Sequence, residues 1–109
     1  MAYTIHMREI TQEEFADEIS GKNALVIFGG AGCVNCRMQY AIIDQIAAEL
    51  TDRKIAVLKL DVAKATDLVS QYNVQSMPTM LVVSNGSVVE TLVGLKPKPV
   101  LLNKLSVIG

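Results

Sequence analysis

The spacing of hydrophobic positions changes twice along the first half of the chain. Residues 24–28 form a continuous apolar, β-prone run and residues 55–61 a second, mainly apolar one, so both predict buried strands, the first covered on both faces. From Cys33 onward, apolar side chains recur at steps of four and three, which predicts a long helix. The face of this helix comprises Cys36, Tyr40, Ile43, Ala47 and Leu50. Strand, helix and strand in this order predict a right-handed βαβ unit with parallel strands.

A short helix is predicted near the N-terminus. Thr11 and Glu14 have the spacing of a capping box, in which each side chain accepts a hydrogen bond from the other residue's backbone N–H. Phe15 and Ile19 then supply the apolar face of a helix that ends near Gly21.

The remaining elements are marked by turn residues and prolines. Asn85-Gly86, between two β-prone runs, is the strongest short signal for a hairpin, and Asn73 suits a left-handed helix C-terminus. Pro97 stops the last strand, and Pro99 can open a terminal helix. The predicted bounds are an edge strand over residues 3–8, a helix over 66–72, strands over 79–83 and 88–93, and a helix over 99–106.

The composition suits one globular domain over residues 1–109. Half of the residues are hydrophobic, and a chain of 109 residues can bury a core without cross-links or metals. Met38, Tyr40 and Met80 fall at core-type positions of the predicted elements, so we expect them to serve packing.

Charge and hydropathy narrow the range of partners. The formal net charge of −1 argues against nucleic acid or an anionic membrane surface as a partner. No stretch approaches the roughly 20 apolar residues of a membrane span, and the N-terminus lacks the apolar segment of a secretory signal. We therefore expect a cytoplasmic protein with no membrane partner.

The two cysteines, Cys33 and Cys36, lie at the predicted start of the long helix. Unpaired N–H groups and the positive end of the helix dipole lower the pKa of a thiol placed there. One helical turn also brings the second sulfur within reach of the first. The spacing therefore predicts dithiol–disulfide exchange, in which Cys33 attacks a target disulfide and Cys36 resolves the mixed disulfide.

A metal site is the alternative interpretation of this cysteine pair. Zinc takes four ligands, and beyond the two cysteines the chain offers only His6 among the usual nitrogen ligands. A closed site would need a second chain, so this hypothesis predicts a metal-linked dimer through Cys33 and Cys36. The exchange hypothesis predicts no bound metal.

The order of these elements and motifs resembles the thioredoxin family along nearly the whole chain. Two motifs carry the resemblance: Cys33-Val34-Asn35-Cys36 followed by Arg37-Met38, and Tyr72-Asn73-Val74-Gln75-Ser76-Met77-Pro78-Thr79. The resemblance implies an α/β thioredoxin fold with a mixed five-stranded sheet flanked by about four helices. It also implies a protein-disulfide reductase.

The resemblance further implies the arrangement of the site, its cofactor and its electron donor. The Met77–Pro78 bond would be cis and lie beside the cysteines, with Val34 and Asn35 supporting the centre. The groove for an extended protein substrate would be formed by Gly32, Met77, Thr79 and Gly94. The redox-active disulfide would need no other cofactor. A flavin-containing reductase of the thioredoxin-reductase type, or another thiol, would reduce the disulfide again after each turnover. The protein would be a monomer.

The chain departs from the family pattern around the cysteines. Gly29 and Gly32 stand where tryptophans are usual, and Ile27 replaces a buried acid thought to help deprotonate the resolving thiol. We therefore expect slower resolution of mixed disulfides. Lys59 on the neighbouring strand is a candidate helper, against the simpler interpretation of an exposed or end-of-strand lysine. Asn35 restores an N–H that could donate to the Cys33 thiolate.

These departures leave a second class of function open. A binding module would keep the groove for a partner and use little redox chemistry. Disulfide turnover, compared with that of Cys33→Ser, separates this hypothesis from the reductase.

Overall fold

The computed structural model describes residues 7–49 and 53–108, which form five strands and four helices. In chain order these are β1 (Met7–Glu9), α1 (Phe15–Ile19), β2 (Asn23–Gly29), α2 (Val34–Glu49), β3 (Ile55–Asp61), α3 (Thr66–Gln71), β4 (Thr79–Ser84), β5 (Ser87–Val93) and α4 (Lys98–Ser106).

The strands form one mixed sheet in the order β1-β3-β2-β4-β5. β3 pairs in parallel with β1 and β2, whereas β4 runs antiparallel to β2 and β5. The expected mixed five-stranded sheet is confirmed, as is the parallel pairing of the two strands that α2 connects. β2 is the central strand, and its last residue, Gly29, lies just ahead of the cysteines.

Alternate residues of β2 face two separate hydrophobic clusters, because successive side chains of a strand point to opposite faces. Leu25 and Ile27 belong to a cluster to which α2 and α4 contribute. Ala24, Val26 and Phe28 belong to a cluster to which α1 and α3 contribute. All five side chains are fully buried, so helices cover the strand on both faces, as its uninterrupted apolar run predicts.

Two local sequence signals have the predicted geometry. The Thr11 N–H donates to the Glu14 carboxylate at 2.9 Å, and the Glu14 N–H donates to the Thr11 hydroxyl at 3.2 Å. This capping box precedes α1, whose Phe15 and Ile19 are buried. Asn85 and Gly86 have φ values of 49° and 86° in the turn between β4 and β5, which is the left-handed backbone of a tight hairpin.

The prediction that Met38 packs in the core is wrong, since this side chain is 50% exposed. The buried side of α2 runs through Cys36, Gln39, Ile43 and Ile46. Met38 precedes Gln39 by one residue and so points about 100° away from it around the helix. The packing roles of Met80 and Tyr40 are confirmed: Met80 is fully buried, and Tyr40 packs partly buried against the cluster of α2 and α4.

Some predicted features lie outside the described residues. Residues 3–6 of the predicted edge strand belong to this group, as does Leu50 of the predicted helix face. The described part of that strand, β1, pairs at the edge of the sheet with β3. Among the helices within residues 7–49 and 53–108, none combines the length and apolarity needed to cross a membrane.

Candidate active site

The two cysteines occupy the junction between β2 and α2. They are joined by a disulfide, and their Cα atoms are 5.2 Å apart, one helical turn along the chain. Cys36 is fully buried, whereas Cys33 is partly exposed. Only the first sulfur is therefore accessible to a large substrate, which is the asymmetry expected of a nucleophile and a resolving residue.

The N-terminus of α2 supplies a hydrogen-bond donor to the Cys33 sulfur. The Cys36 N–H donates to the Cys33 sulfur at 3.1 Å, and the Arg37 N–H donates to the Cys33 carbonyl at 3.2 Å. Once the disulfide is reduced, such a donor favours the thiolate over the thiol. The sequence offered the Asn35 N–H as a donor to the Cys33 thiolate. In this disulfide form the donor is the Cys36 N–H, because the sulfur acts as the helix N-cap and bonds three residues ahead.

A hydrogen bond links the segment of Met77 and Pro78 to Gly94. The Met77–Pro78 peptide bond is cis. The Pro78 carbonyl accepts from the Gly94 N–H at 2.9 Å, and Gly94 has a left-handed φ of 84°. A Cβ on Gly30 would lie 3.2 Å from the Met77 sulfur, so Met77 lies against the loop that leads to Cys33. The structure thus brings together Met77, Pro78 and Gly94, three of the residues that the resemblance implied at the site.

The predicted groove residue Thr79 has a different role. Its side chain is only 2% exposed, so it cannot line a substrate groove. Its hydroxyl donates to the Ser76 carbonyl at 2.7 Å and stabilises the turn that carries Met77. Gly32 is exposed with a φ of 75°, and apart from its chain neighbours no residue has an atom within 4 Å of the place where its Cβ would be. This glycine therefore leaves open space immediately before Cys33.

Several large apolar side chains near the cysteines are exposed. Val34 is 58% exposed and Met77 is 37% exposed. Met38, one helical turn beyond Val34, extends the same side of α2. These side chains provide apolar contact area around Cys33 in a chain that has no tryptophan.

Gln39 was missed by the sequence analysis. Its side chain is fully buried, donates to the Lys96 carbonyl at 3.0 Å and accepts from the Lys96 N–H at 2.7 Å. It thereby ties α2 to the segment that follows Gly94. The available signal was its position three residues after Cys36, where a polar residue falls on the buried stripe of the helix.

Gly29 gives Tyr40 access to the neighbourhood of the buried cysteine. A Cβ on Gly29 would overlap the Tyr40 hydroxyl and lie 3.2 Å from the Cys36 sulfur. The Lys59 ammonium lies over the Tyr40 ring, 5.0 Å from its centroid. Lys59 is thus half-buried against α2 rather than a free end-of-strand lysine. Burial raises the pKa of Tyr40, and the nearby carboxylates of Glu9 and Asp61 raise it further.

Metal ligands do not cluster in the described part of the chain. Within it, no group of three His, Cys, Asp or Glu side chains is arranged to hold a metal ion. His6, which the metal hypothesis invoked, lies outside the described residues.

Comparison with known proteins gives one consistent family. The family model described as Thioredoxin matches residues 6–107. The chain is 35% identical to a thioredoxin of Chlamydia trachomatis over 97 residues, which cover 89% of this chain and 93% of that protein. It is 36% identical to a thioredoxin of Bacillus subtilis over 91 residues, which cover 84% of this chain and 86% of the relative.

A solved structure agrees with the sequence comparisons. A mutant thioredoxin from Halobacterium salinarum superposes with a TM-score of 0.81 at 28% identity, covering 94% of this chain and 90% of that one. The chain therefore belongs to the thioredoxin family, and Cys33 with Cys36 forms the dithiol–disulfide oxidoreductase centre of this protein.

Proposed function

We propose that this protein reduces disulfides of protein substrates, with Cys33 as the nucleophile and Cys36 as the resolving residue. The observation that carries the proposal is the unequal burial of two bonded sulfurs at a helix N-terminus. The Cys33 thiolate attacks one sulfur of the target disulfide, and the other sulfur leaves as a thiolate. The Cys36 thiolate then attacks Cys33, releases the second target thiolate and closes the Cys33–Cys36 disulfide. Two electrons pass to the target.

The groove around Cys33 suits an extended polypeptide. Met77 precedes the cis proline on an exposed turn, and an extended segment can pair with its backbone in the manner of an added strand. Gly32 and Gly94 carry no side chain that would obstruct this approach. Val34, between the cysteines, contributes an apolar contact to the substrate, and Asn35 is exposed beside it.

The disulfide itself carries the electrons in this proposal, so no other cofactor takes part. Each turnover leaves the pair oxidised, and a donor must reduce it again. We assign this task to a flavin-containing reductase of the thioredoxin-reductase type or to another thiol, acting on a monomeric protein in the cytoplasm. The reducing direction then requires a midpoint potential at or below that of the glutathione pool, which lies at about −220 to −260 mV. A strongly oxidising value of about −120 mV would contradict this direction.

Insulin reduction with dithiothreitol as the electron source tests the activity. The wild type should accelerate precipitation of the insulin chains, and Cys33→Ser should abolish the acceleration. Gln45→Ala, which truncates an exposed side chain farther along the same helix, should retain most of it. Wild-type protein with no more activity than Cys33→Ser would favour a binding module. Stoichiometric zinc in the reduced protein, together with a dimer, would favour the metal-linked alternative.

A further inference from the structure

Resolution of the mixed disulfide requires the Cys36 thiol to lose its proton, and Cys36 is fully buried. An apolar environment disfavours the thiolate. Ile27, two residues before Gly29 on the same side of β2, is also fully buried and has no group that could accept a proton. A route for this proton must therefore come from another polar group near the sulfur. The inference below rests on the proposed function.

The missing side chain at Gly29 leaves a space that two polar atoms share. The Cys36 sulfur lies 3.2 Å from the point where a Gly29 Cβ would be, and the Tyr40 hydroxyl lies still closer to that point. The hydroxyl and the sulfur thus border the same small space, in which one water can bridge them. Any larger residue at position 29 would separate them.

A polar cleft continues from Tyr40 toward solvent. It has a volume of about 170 Å³, which is room for several water molecules, and Gly29, Tyr40, Lys59, Asp61 and the exposed Glu9 line it. Asp61 pairs in register with Gly29 across β2 and β3 and lines the cleft, and one oxygen of its carboxylate accepts a hydrogen bond from the Ala63 N–H at 2.9 Å. The carboxylates of Glu9 and Asp61 and the ammonium of Lys59 are the charged groups that face Tyr40 from β1 and β3.

Two features keep the Tyr40 hydroxyl neutral and in place. Burial and the two carboxylates raise its pKa, so the phenol stays protonated at neutral pH and can both accept and donate a hydrogen bond. The Lys59 ammonium over the ring favours this orientation of the ring through a cation–π contact.

We propose that the Tyr40 hydroxyl relays the proton of the Cys36 thiol into the cleft during resolution of the mixed disulfide. The thiol proton passes to the hydroxyl, directly or through one water, as the hydroxyl gives its own proton to a cleft water or to Asp61. The Cys36 thiolate then forms a bond to the Cys33 sulfur. The bond between Cys33 and the target breaks, and the target thiolate leaves with the electron pair and takes a proton from solvent. Tyr40 thus replaces, from α2, the acid that β2 lacks at Ile27.

Ellman's reagent separates the two steps in a stopped-flow experiment with equimolar reduced protein. Attack by Cys33 releases the first thionitrobenzoate, and resolution by Cys36 releases the second; Cys36→Ser, which stops after the first, assigns the phases. Tyr40→Phe should slow the second phase by about tenfold or more near pH 7, a modest part of what positioned acid–base groups contribute. The first phase should change by less than about twofold.

The pH profile distinguishes a proton relay from a packing role. The deficit of Tyr40→Phe should shrink as the pH rises, because hydroxide in solution then takes the Cys36 proton without a relay. Added imidazole should accelerate the second phase of Tyr40→Phe more than that of the wild type. Gly29→Ala, whose methyl group takes the shared space, should also slow the second phase. Tyr72→Phe, on a ring that packs against Phe15 in the other cluster, is the matched control and should change neither phase.

Three outcomes would overturn the relay. These are a second phase in Tyr40→Phe equal to that of the wild type, a deficit of the same size at every pH, and an equal slowing of both phases. In each case normal biphasic release by the wild type leaves the proposed function standing. A wild type that releases no second equivalent contradicts the proposed function itself, and the relay with it.

Discussion

The side chain of Gln39 forms two hydrogen bonds with the backbone of Lys96, donating to its carbonyl at 3.0 Å and accepting from its N–H at 2.7 Å. This amide pair joins the helix that starts at the cysteines to the segment that begins at Gly94. The Gly94 N–H in turn bonds to Pro78. One buried polar side chain thus helps to hold two walls of the groove at a fixed distance from Cys33.

Gln39→Leu should destabilise the protein by about 1–3 kcal/mol, because it leaves a partly buried N–H and carbonyl of Lys96 without partners. Urea unfolding measures the free energy of unfolding. Gln45→Leu, at an exposed position of the same helix, is the matched control and should change stability by less than about 0.5 kcal/mol. Equal stability of the Gln39→Leu variant and the wild type would show that the amide pair is not needed.

Gly29→Ala should destabilise the protein by about 1–3 kcal/mol, since the new methyl group overlaps the Tyr40 hydroxyl and crowds the Cys36 sulfur. Tyr40→Phe removes the overlapping oxygen, so the double variant should recover part of this loss. A double-mutant cycle on the free energy of unfolding gives the coupling between the two sites. Strictly additive effects would contradict the close approach of Gly29 and Tyr40.

Ile27→Asp should accelerate release of the mixed disulfide, because it places a proton acceptor on the side of β2 that faces α2. It should also destabilise the fold by several kcal/mol, as a carboxyl group replaces a fully buried side chain. Ile27→Asn is the control with the same shape and no acid. The second release of thionitrobenzoate reports the rate, and an Asp variant no faster than the Asn variant would refute the expectation.

Tyr40 should make stability fall at alkaline pH. Because its folded-state pKa is raised, the folded protein holds the phenolic proton after the unfolded chain has lost its own. This contribution to the free energy of unfolding is fully present below the ordinary tyrosine pKa of about 10. It is lost as the pH rises through the pKa that Tyr40 has in the folded protein. A pH titration followed by phenolate absorbance measures this. Tyr40→Phe should lack one component that, in the wild type, titrates above about pH 10. If the component that Tyr40→Phe lacks titrates below about pH 10 in the wild type, the burial of this phenol is contradicted.

The fold was predictable because its signals are local. The apolar run over residues 24–28, the Asn85-Gly86 turn and the spacing of apolar residues in α2 each depend on a few neighbouring residues. The cysteine pair was predictable for the same reason, since one helical turn separates Cys33 from Cys36.

The rest of the site depends on contacts between distant parts of the chain. Gln39 forms hydrogen bonds with Lys96, 57 residues farther along the chain, and no local sequence pattern predicts this pairing. Met38 was expected in the core, but Gln39, one residue farther along α2, takes the buried position. The absent tryptophan at Gly29 was visible in the sequence, but the Tyr40 hydroxyl that comes close to that position became apparent only once β2 and α2 were packed together.

Trapping the mixed disulfide tests the central claim most directly. The Cys36→Ser variant, mixed with a protein disulfide, should form a stable covalent complex, and peptide mass spectrometry should locate the link at Cys33. Cys33→Ser under the same conditions should form little or none, because the Cys36 sulfur is buried. Equal yields from the two variants, or a link found mainly at Cys36, would contradict the assignment of Cys33 as nucleophile and Cys36 as resolving residue.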